Sequence, residues 1–212
     1  MKNKIKTSIY IDAFNLYYGS IKGTKFHWLD LHKFCQLILP AHEIAHIKYF
    51  TAMVKARPHD LQEPIRQHTY LRALKTLPNL EVILGHYLSH EVSMPLANPE
   101  LGKPKFARVI KTEEKGSDVN LATHLLHDAH LNRYECAVVI SNDSDLVEPI
   151  RIVASDLKKK VGVLNPQQHP SRELLKVATF FKQIRPAALA ASQFLPELND
   201  HKGPFHIPDR WK

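Results

Sequence analysis

Cysteine is nearly absent from the chain. The two present, Cys35 and Cys136, lie far apart and each inside an apolar run. A disulfide scaffold and a cysteine-rich zinc site are thereby excluded, and a reducing cytoplasm is the expected setting. Glycine is scarce as well, seven in 212 residues, and neither a GxGxxG turn nor a Walker loop occurs, so no glycine-rich phosphate cradle can be assigned. No stretch approaches the ~20 apolar residues of a membrane span, and the opening MKNKIKTSIYID lacks the apolar run of a signal peptide. The remaining composition is that of an ordinary soluble protein, long enough for one domain or one domain with an appendage. Lys and Arg total 29 against 21 Asp and Glu, a formal charge of +8 that points to a phosphate-bearing partner.

Short β-rich runs alternate with helical stretches. Ser8–Ile11 is an apolar strand ending at Asp12, Ile44–Val54 a second, Leu80–Tyr87 a third, with Ala137–Ile140 and Val161–Leu164 further on. The last two are continuously apolar, as strands covered on both faces are. Helices are predicted over 29–39, with Leu31, Phe34, Cys35 and Ile38 on one face and Pro40 as the stop; over 60–77, with Pro64 in its first turn; over 117–131, with Ser117 or Asp118 as cap; over 143–157; and over 171–177. Leu88–Lys105, with Pro95, Pro99, Gly102 and Pro104, reads as a loop, and Phe106–Thr112 as a strand returning beside the third one. Beyond Arg185 the tail is punctuated by proline, with one helical piece at 187–192. Such alternation predicts an α/β fold with a mostly parallel sheet and helices on both faces, a β-hairpin insertion and a C-terminal extension. The boundaries expected are 1–180 for the domain, 88–112 for the insertion and 181–212 for the extension.

In a parallel sheet, ligands bind outside the carboxyl ends of the strands, at the switch point. Asp12 follows the first strand, with Asn15 just behind it; Asp143 and Asp145 follow the strand 137–140 in SNDSD; Asp118 opens a helix after EEKGS. An aspartate after a strand is often only a cap or turn former, an ordinary reading for Asp118 and Asp145 taken singly. In combination the charges decide. Two carboxylates ~4 Å apart at an effective dielectric of roughly 20 repel by about 4 kcal/mol, so three mutual neighbours cost about 12 kcal/mol, comparable to a domain's stability. Such a cluster must hold protons or a divalent cation, and hard oxygen ligands select Mg²⁺ or Mn²⁺. A carboxylate-held metal in a cationic protein points to phosphodiester chemistry. Lys22, Lys25, Lys103, Lys105, Arg108 and Lys111 are candidate contacts to a polymer backbone, although a solvated surface charge is the ordinary reading of any one lysine. Lys115, close to Asp118 in sequence, is a candidate for the scissile phosphate.

The segments YIDAFNLYYG, EEKGSDVNLATHLL and VVISNDSDLVEPI together resemble the NYN domain, a branch of the PIN-like nuclease superfamily, over about residues 5–165. The resemblance implies a Rossmann-like three-layer α/β/α fold and metal-dependent endonucleolytic cleavage, most often of RNA. It places Asp12, Asp118 and Asp143 at the acidic metal positions with Asp145 as a fourth. It gives Ser141 the task of orienting the Asp143 carboxylate, and Asn15 a contact to metal water or substrate. Many relatives carry a second acid two residues after the one matching Asp118, where this chain has Asn120; Glu113 or Glu114 are the candidates to replace it. The expected cofactor is Mg²⁺ or Mn²⁺. The expected partners are RNA, or single-stranded DNA, and a second copy of the chain, without a membrane.

Two rivals remain in view. A non-catalytic RNA-binding or regulatory module of the same fold is the alternative to the ribonuclease. A haloacid-dehalogenase-like phosphatase needs a second acid two residues after its nucleophilic aspartate, where Phe14 stands. His124, His127 and His130 recur at a spacing that drifts around a helix, which argues against a zinc site. Tyr17, Tyr18, Phe26 and Trp28, interleaved with Lys22 and Lys25, suggest a base-stacking platform, with core packing the competing reading for Trp28.

Overall fold

A computed structural model of the chain describes residues 4–212 except 57, 59, 100, 101 and 103, so Lys103 lies outside the described residues. In chain order the elements are β1 (Ile5–Asp12), α1 (Ala13–Leu16) running into a wider helical turn (Tyr17–Ile21), α2 (Leu31–Ile38), β2 (His42–Thr51), α3 (Glu63–Leu74), β3 (Leu80–Leu84), β4 (His86–Pro95), β5 (Phe106–Lys115), α4 (Ser117–His130), β6 (Cys136–Ile140), α5 (Val147–Arg151), β7 (Lys160–Asn165), α6 (Arg172–Val177), β8 (Phe180–Gln183), α7 (Pro186–Ala191), β9 (Glu197–Asp200) and β10 (Gly203–His206). Six strands form one sheet in the order β3-β2-β1-β6-β7-β8, every pairing parallel.

Strand alternation builds two cores. Ile9, Ile11, Val138 and Ile140 face one layer, where Leu31, Phe34, Leu71 and Leu189 bring in α2, α3 and α7. Tyr10, Ala137 and Val139 face the other, against Leu121, Leu125, Ile150 and Leu174 of α4, α5 and α6. Both faces are therefore dry, which is why β6 and β7 read as unbroken apolar runs. The chain runs outward one way from β1 to β2 and β3, and returns to the other side of β1 as β6. The switch point thus lies between the carboxyl ends of β1 and β6.

Three segments depart from the sequence reading. The third strand stops at Leu84, and β4 begins after Gly85; β5 pairs antiparallel with β4 along its whole length, in a ribbon apart from the sheet, and not beside β3. The loop expected over 88–105 is thus partly strand. Both faces of the ribbon are largely solvated, so alternation is weak, and Pro95 sits at the strand end where a missing N–H costs little. Gly85 lets the ribbon base approach, since a Cβ there would lie 2.6 Å from the Glu114 carboxylate and the Lys115 carbonyl. The helix expected over 143–157 is three turns of different pitch, Ser144–Leu146, α5 and Ile152–Asp156. Past residue 180 the chain still belongs to the sheet through β8, and then closes a small β9–β10 hairpin over the indole of Trp28, which is 1% exposed and packs with Phe194 and Phe205. Trp28 is a core residue, not part of an exposed platform.

Candidate metal centre

β1 delivers Asp12 to the crevice and caps α1 with it: Oδ1 accepts from the Asn15 backbone N–H at 2.9 Å and Oδ2 from the Ser141 hydroxyl at 3.0 Å. Beyond β6 the chain turns through Ser141 and Asn142, so that Asp143 caps the following turn by accepting from Asp145 N–H at 3.0 Å. Gly116, with φ of 95°, swings the end of β5 into α4. Neither Ser117 nor Asp118 caps that helix. The Glu114 carboxylate takes the Ser117 N–H at 3.1 Å and its hydroxyl at 2.6 Å, which leaves Asp118 in the first turn free to face the crevice.

Carboxylate oxygens of Asp12, Asp118 and Asp143 all lie within 4.8 Å of one another. Among the described residues none of the three has a Lys, Arg or His partner at ion-pair distance. Burial, and then the charges of Asp12, Asp143, Glu114 and Asp145, push the Asp118 carboxyl up to about 6. Asp12 is also raised: burial outweighs the hydrogen bonds from Asn15 and Ser141 that pull the other way. The three sit in a pocket of about 340 Å³ also lined by Phe14, Asn15, Tyr18, Tyr87, Glu114 and Gln167. An anionic oxygen cluster without internal counter-charge suits a hard divalent cation.

Other predicted residues fall differently. Ser141 does not hold the Asp143 carboxylate; its hydroxyl is spent on Asp12 and accepts from the Asp143 backbone N–H at 3.1 Å. Asp145 is exposed and outside the three-carboxylate group, acting on Asp143 through its N–H. Asn15 accepts from Asn142 N–H at 3.0 Å, which ties the two strand ends together. Glu113 is occupied by Lys111 at 2.6 Å and Lys115 at 3.3 Å, and Arg108 by Glu91 at 2.6 Å. Lys22 stands 4.8 Å over the Tyr18 ring, and Lys25 and Lys105 are exposed. His124 contacts Lys48, and among the described residues it belongs to no group that could hold a metal ion. Tyr87 and Gln167 are pocket residues that sequence reasoning missed. Gln167 lies just past the carboxyl end of β7 and could have been found by the strand-end rule, whereas Tyr87 arrives on the ribbon and edges onto Phe14 at 6.0 Å.

Behind this pocket a larger cavity of about 490 Å³ shares Phe14 and Tyr18 with it as walls. Among the described residues no helix is long and apolar enough to cross a membrane.

The chain is 33% identical over 237 aligned positions to 6-hydroxy-3-succinoylpyridine 3-monooxygenase HspA of Pseudomonas putida, covering 98% of this chain and 75% of that protein. A crystal structure of a protein of unknown function from Vibrio parahaemolyticus superposes with a TM-score of 0.58 at 19% identity, over 92% of this chain and 99% of the other, a likeness of fold. The NYN domain model matches residues 6–185. With that match, the parallel sheet and the acidic crevice at its switch point, the chain belongs to the NYN domain family of the PIN-like nuclease superfamily.

Proposed function

We propose that the protein is a Mg²⁺- or Mn²⁺-dependent endoribonuclease of the cytoplasm. The observation that carries this reading is the meeting of Asp12, Asp118 and Asp143, from three separate elements, without a protein cation beside them among the described residues. The donor set fits such an ion, because all three ligands are hard oxygens and their mutual repulsion is relieved on binding. Bound there, a divalent cation supplies polarisation of a phosphoryl oxygen and a water of lowered pKa.

The chain's own residues do the rest. Ser141 and the Asn15 N–H fix the Asp12 carboxylate, and the Asp145 N–H fixes that of Asp143, so two ligands are pre-set before substrate arrives. Asn15 uses its carbonyl on Asn142 and keeps its NH₂ to donate to a phosphoryl oxygen. Asp145 orients water at the edge of the site, and Glu114 supplies the acidic charge that Asn120 lacks. Lys22, Lys25 and Lys105 offer charge to the strand; Arg108, Lys111 and Lys115 reach phosphates by exchanging Glu91 and Glu113 for them.

The test is incubation of pure protein with structured and unstructured RNA and DNA pools, in Mn²⁺ and in chelator, with the cut ends mapped. Cuts in RNA that need the metal and vanish in Asp143→Asn support the reading; wild-type cleavage by Asp143→Asn overturns it.

A second reading comes from the Pseudomonas relative, whose name is that of a monooxygenase of 6-hydroxy-3-succinoylpyridine. The aromatic-walled cavity beside the carboxylates favours it. It requires dioxygen and a two-electron donor, and is checked by supplying both with 6-hydroxy-3-succinoylpyridine and following the loss of that compound.

A further inference from the structure

Aromatic residues close behind Asp12 that the metal centre leaves unused line the larger cavity. At about 490 Å³ it lies within the ~300–1,000 Å³ usual for small-ligand sites. Trp211 forms one wall, its indole parallel to the His27 imidazole at 5.1 Å with an interplanar angle of 10°. Tyr17 and Tyr18 form another, edge to face at 5.2 Å. Burial, helped by the charges of Arg66 and Arg210 and opposed by a hydrogen bond to the Thr24 backbone, holds the His27 pKa below the usual histidine range.

Two further features give the cavity a direction. Phe14 and Tyr18 are common to it and to the carboxylate pocket, so a ligand can span from one to the other. Its rim carries Arg66, Arg210 and Lys22 against Asp60 and Glu63, one more cation than anion: Asp60 binds both Arg66 and Arg210, the latter at 2.7 Å, and Lys22 stands over Tyr18. Flat π-faces, walls shared with the carboxylate pocket and a rim with an excess of positive charge are the elements by which proteins hold an unpaired base and its backbone.

We propose that this cavity binds one unpaired nucleobase of the strand whose phosphodiester lies at Asp12, Asp118 and Asp143, with Trp211 and Tyr17 as stacking faces and Lys22 on the neighbouring phosphate. The proposal rests on the nuclease reading and adds to it a preference for single strands, since a base paired in a duplex must leave its stack to enter. It also assigns the C-terminal turn a part in substrate binding.

The experiment uses the full chain in chelator, where no cleavage occurs. Adenosine and uridine 5′-monophosphate, inorganic phosphate and pyridine-3-carboxylate are titrated separately, with tryptophan fluorescence and calorimetry as readouts. The two tryptophans are Trp28, in the core, and Trp211, in the cavity wall. The expected result is mononucleotide binding that quenches Trp211, no comparable binding of phosphate, about tenfold weakening in Trp211→Ala and near-complete retention in Trp211→Phe. Tyr18→Ala, at a residue 50% exposed and so tolerant of truncation, serves as the second variant and should weaken binding in the same direction. Nucleotide affinity unchanged in folded Trp211→Ala and Tyr18→Ala overturns the proposal, as does binding of the pyridine carboxylate in place of nucleotides. Nucleotide binding that behaves as expected in a protein that cuts no RNA with Mn²⁺ upholds the cavity assignment and overturns the hydrolytic one.

Discussion

Helix α4 carries two aspartates in opposite surroundings. Asp128, near its C-terminal end and 2% exposed, accepts from Lys48 at 2.5 Å, Arg133 at 2.8 Å and the Tyr10 hydroxyl at 2.8 Å. Burial acts to raise its pKa, but those three donors outweigh burial and hold it below the usual carboxylate range. Asp118, in the first turn, faces Asp12, Asp143 and Glu114, and is pushed up to about 6. The fold is thus able to neutralise a buried carboxylate with its own side chains and does so where the charge is structural. At the strand-end crevice it leaves three carboxylates without a counter-charge among the described residues. Uncompensated charge placed at a ligand-binding crevice marks function, because it lowers stability without any structural return.

Breaking each site separates the two roles. Asp143→Asn should reduce RNA cleavage in Mn²⁺ to the level of the chelated control while the thermal melt stays cooperative; a mapped cleavage assay beside a melt checks both. Asp128→Asn should do the reverse. It strands Lys48, largely buried, without a counter-charge, and should cost about 3 kcal/mol, or about 6–12 °C in Tm, while cleavage by the folded fraction survives. If Asp143→Asn unfolds the protein and Asp128→Asn leaves Tm unchanged, the contrast is inverted and fails.

Metal and pH sharpen the same contrast at smaller scale. Mn²⁺ at a hundredfold excess over its Kd should stabilise the wild type by about 2.7 kcal/mol, visible as a rise in Tm that Asp118→Asn loses. In chelator the two aspartates pull stability in opposite directions. The folded-state pKa of Asp118 lies above its unfolded value of 3.8, so folded protein keeps a proton that unfolded chain has released. Its stabilising contribution is full below pH 3.8 and is lost as pH rises through about 6. Asp128, with its pKa lowered, contributes stability that is present above its unfolded value and lost as pH falls through the folded one. Asp118→Asn should therefore flatten the decline toward neutral pH, and Asp128→Asn should remove only the acid-side loss; melts across the pH range in chelator resolve the two.

The parts of this architecture legible in the sequence are those where local pattern and burial agree. β1, β6 and β7 are buried on both faces, and the rule that parallel strands end at a common crevice places Asp12 and Asp143 side by side from the sequence alone. The β4–β5 ribbon was obscured because its faces are solvated and its ends carry prolines. β8 and the β9–β10 hairpin are four-residue strands, too short to show a period. At the site, residue identities were legible and partnerships were not. That Ser141 serves Asp12, that Glu114 relieves Asp118 of capping α4, and that Trp211 returns to wall a cavity beside Tyr17 all depend on contacts between distant segments, which no window of sequence contains.

The most direct test of the central claim is a calorimetric titration of Mn²⁺ into chelator-stripped protein, repeated in buffers of different ionisation enthalpy near pH 6. Saturable binding with net proton release, drawn from Asp118 and absent from Asp143→Asn, is the predicted result. No saturable binding to the wild type, or equal binding to Asp143→Asn, would contradict it.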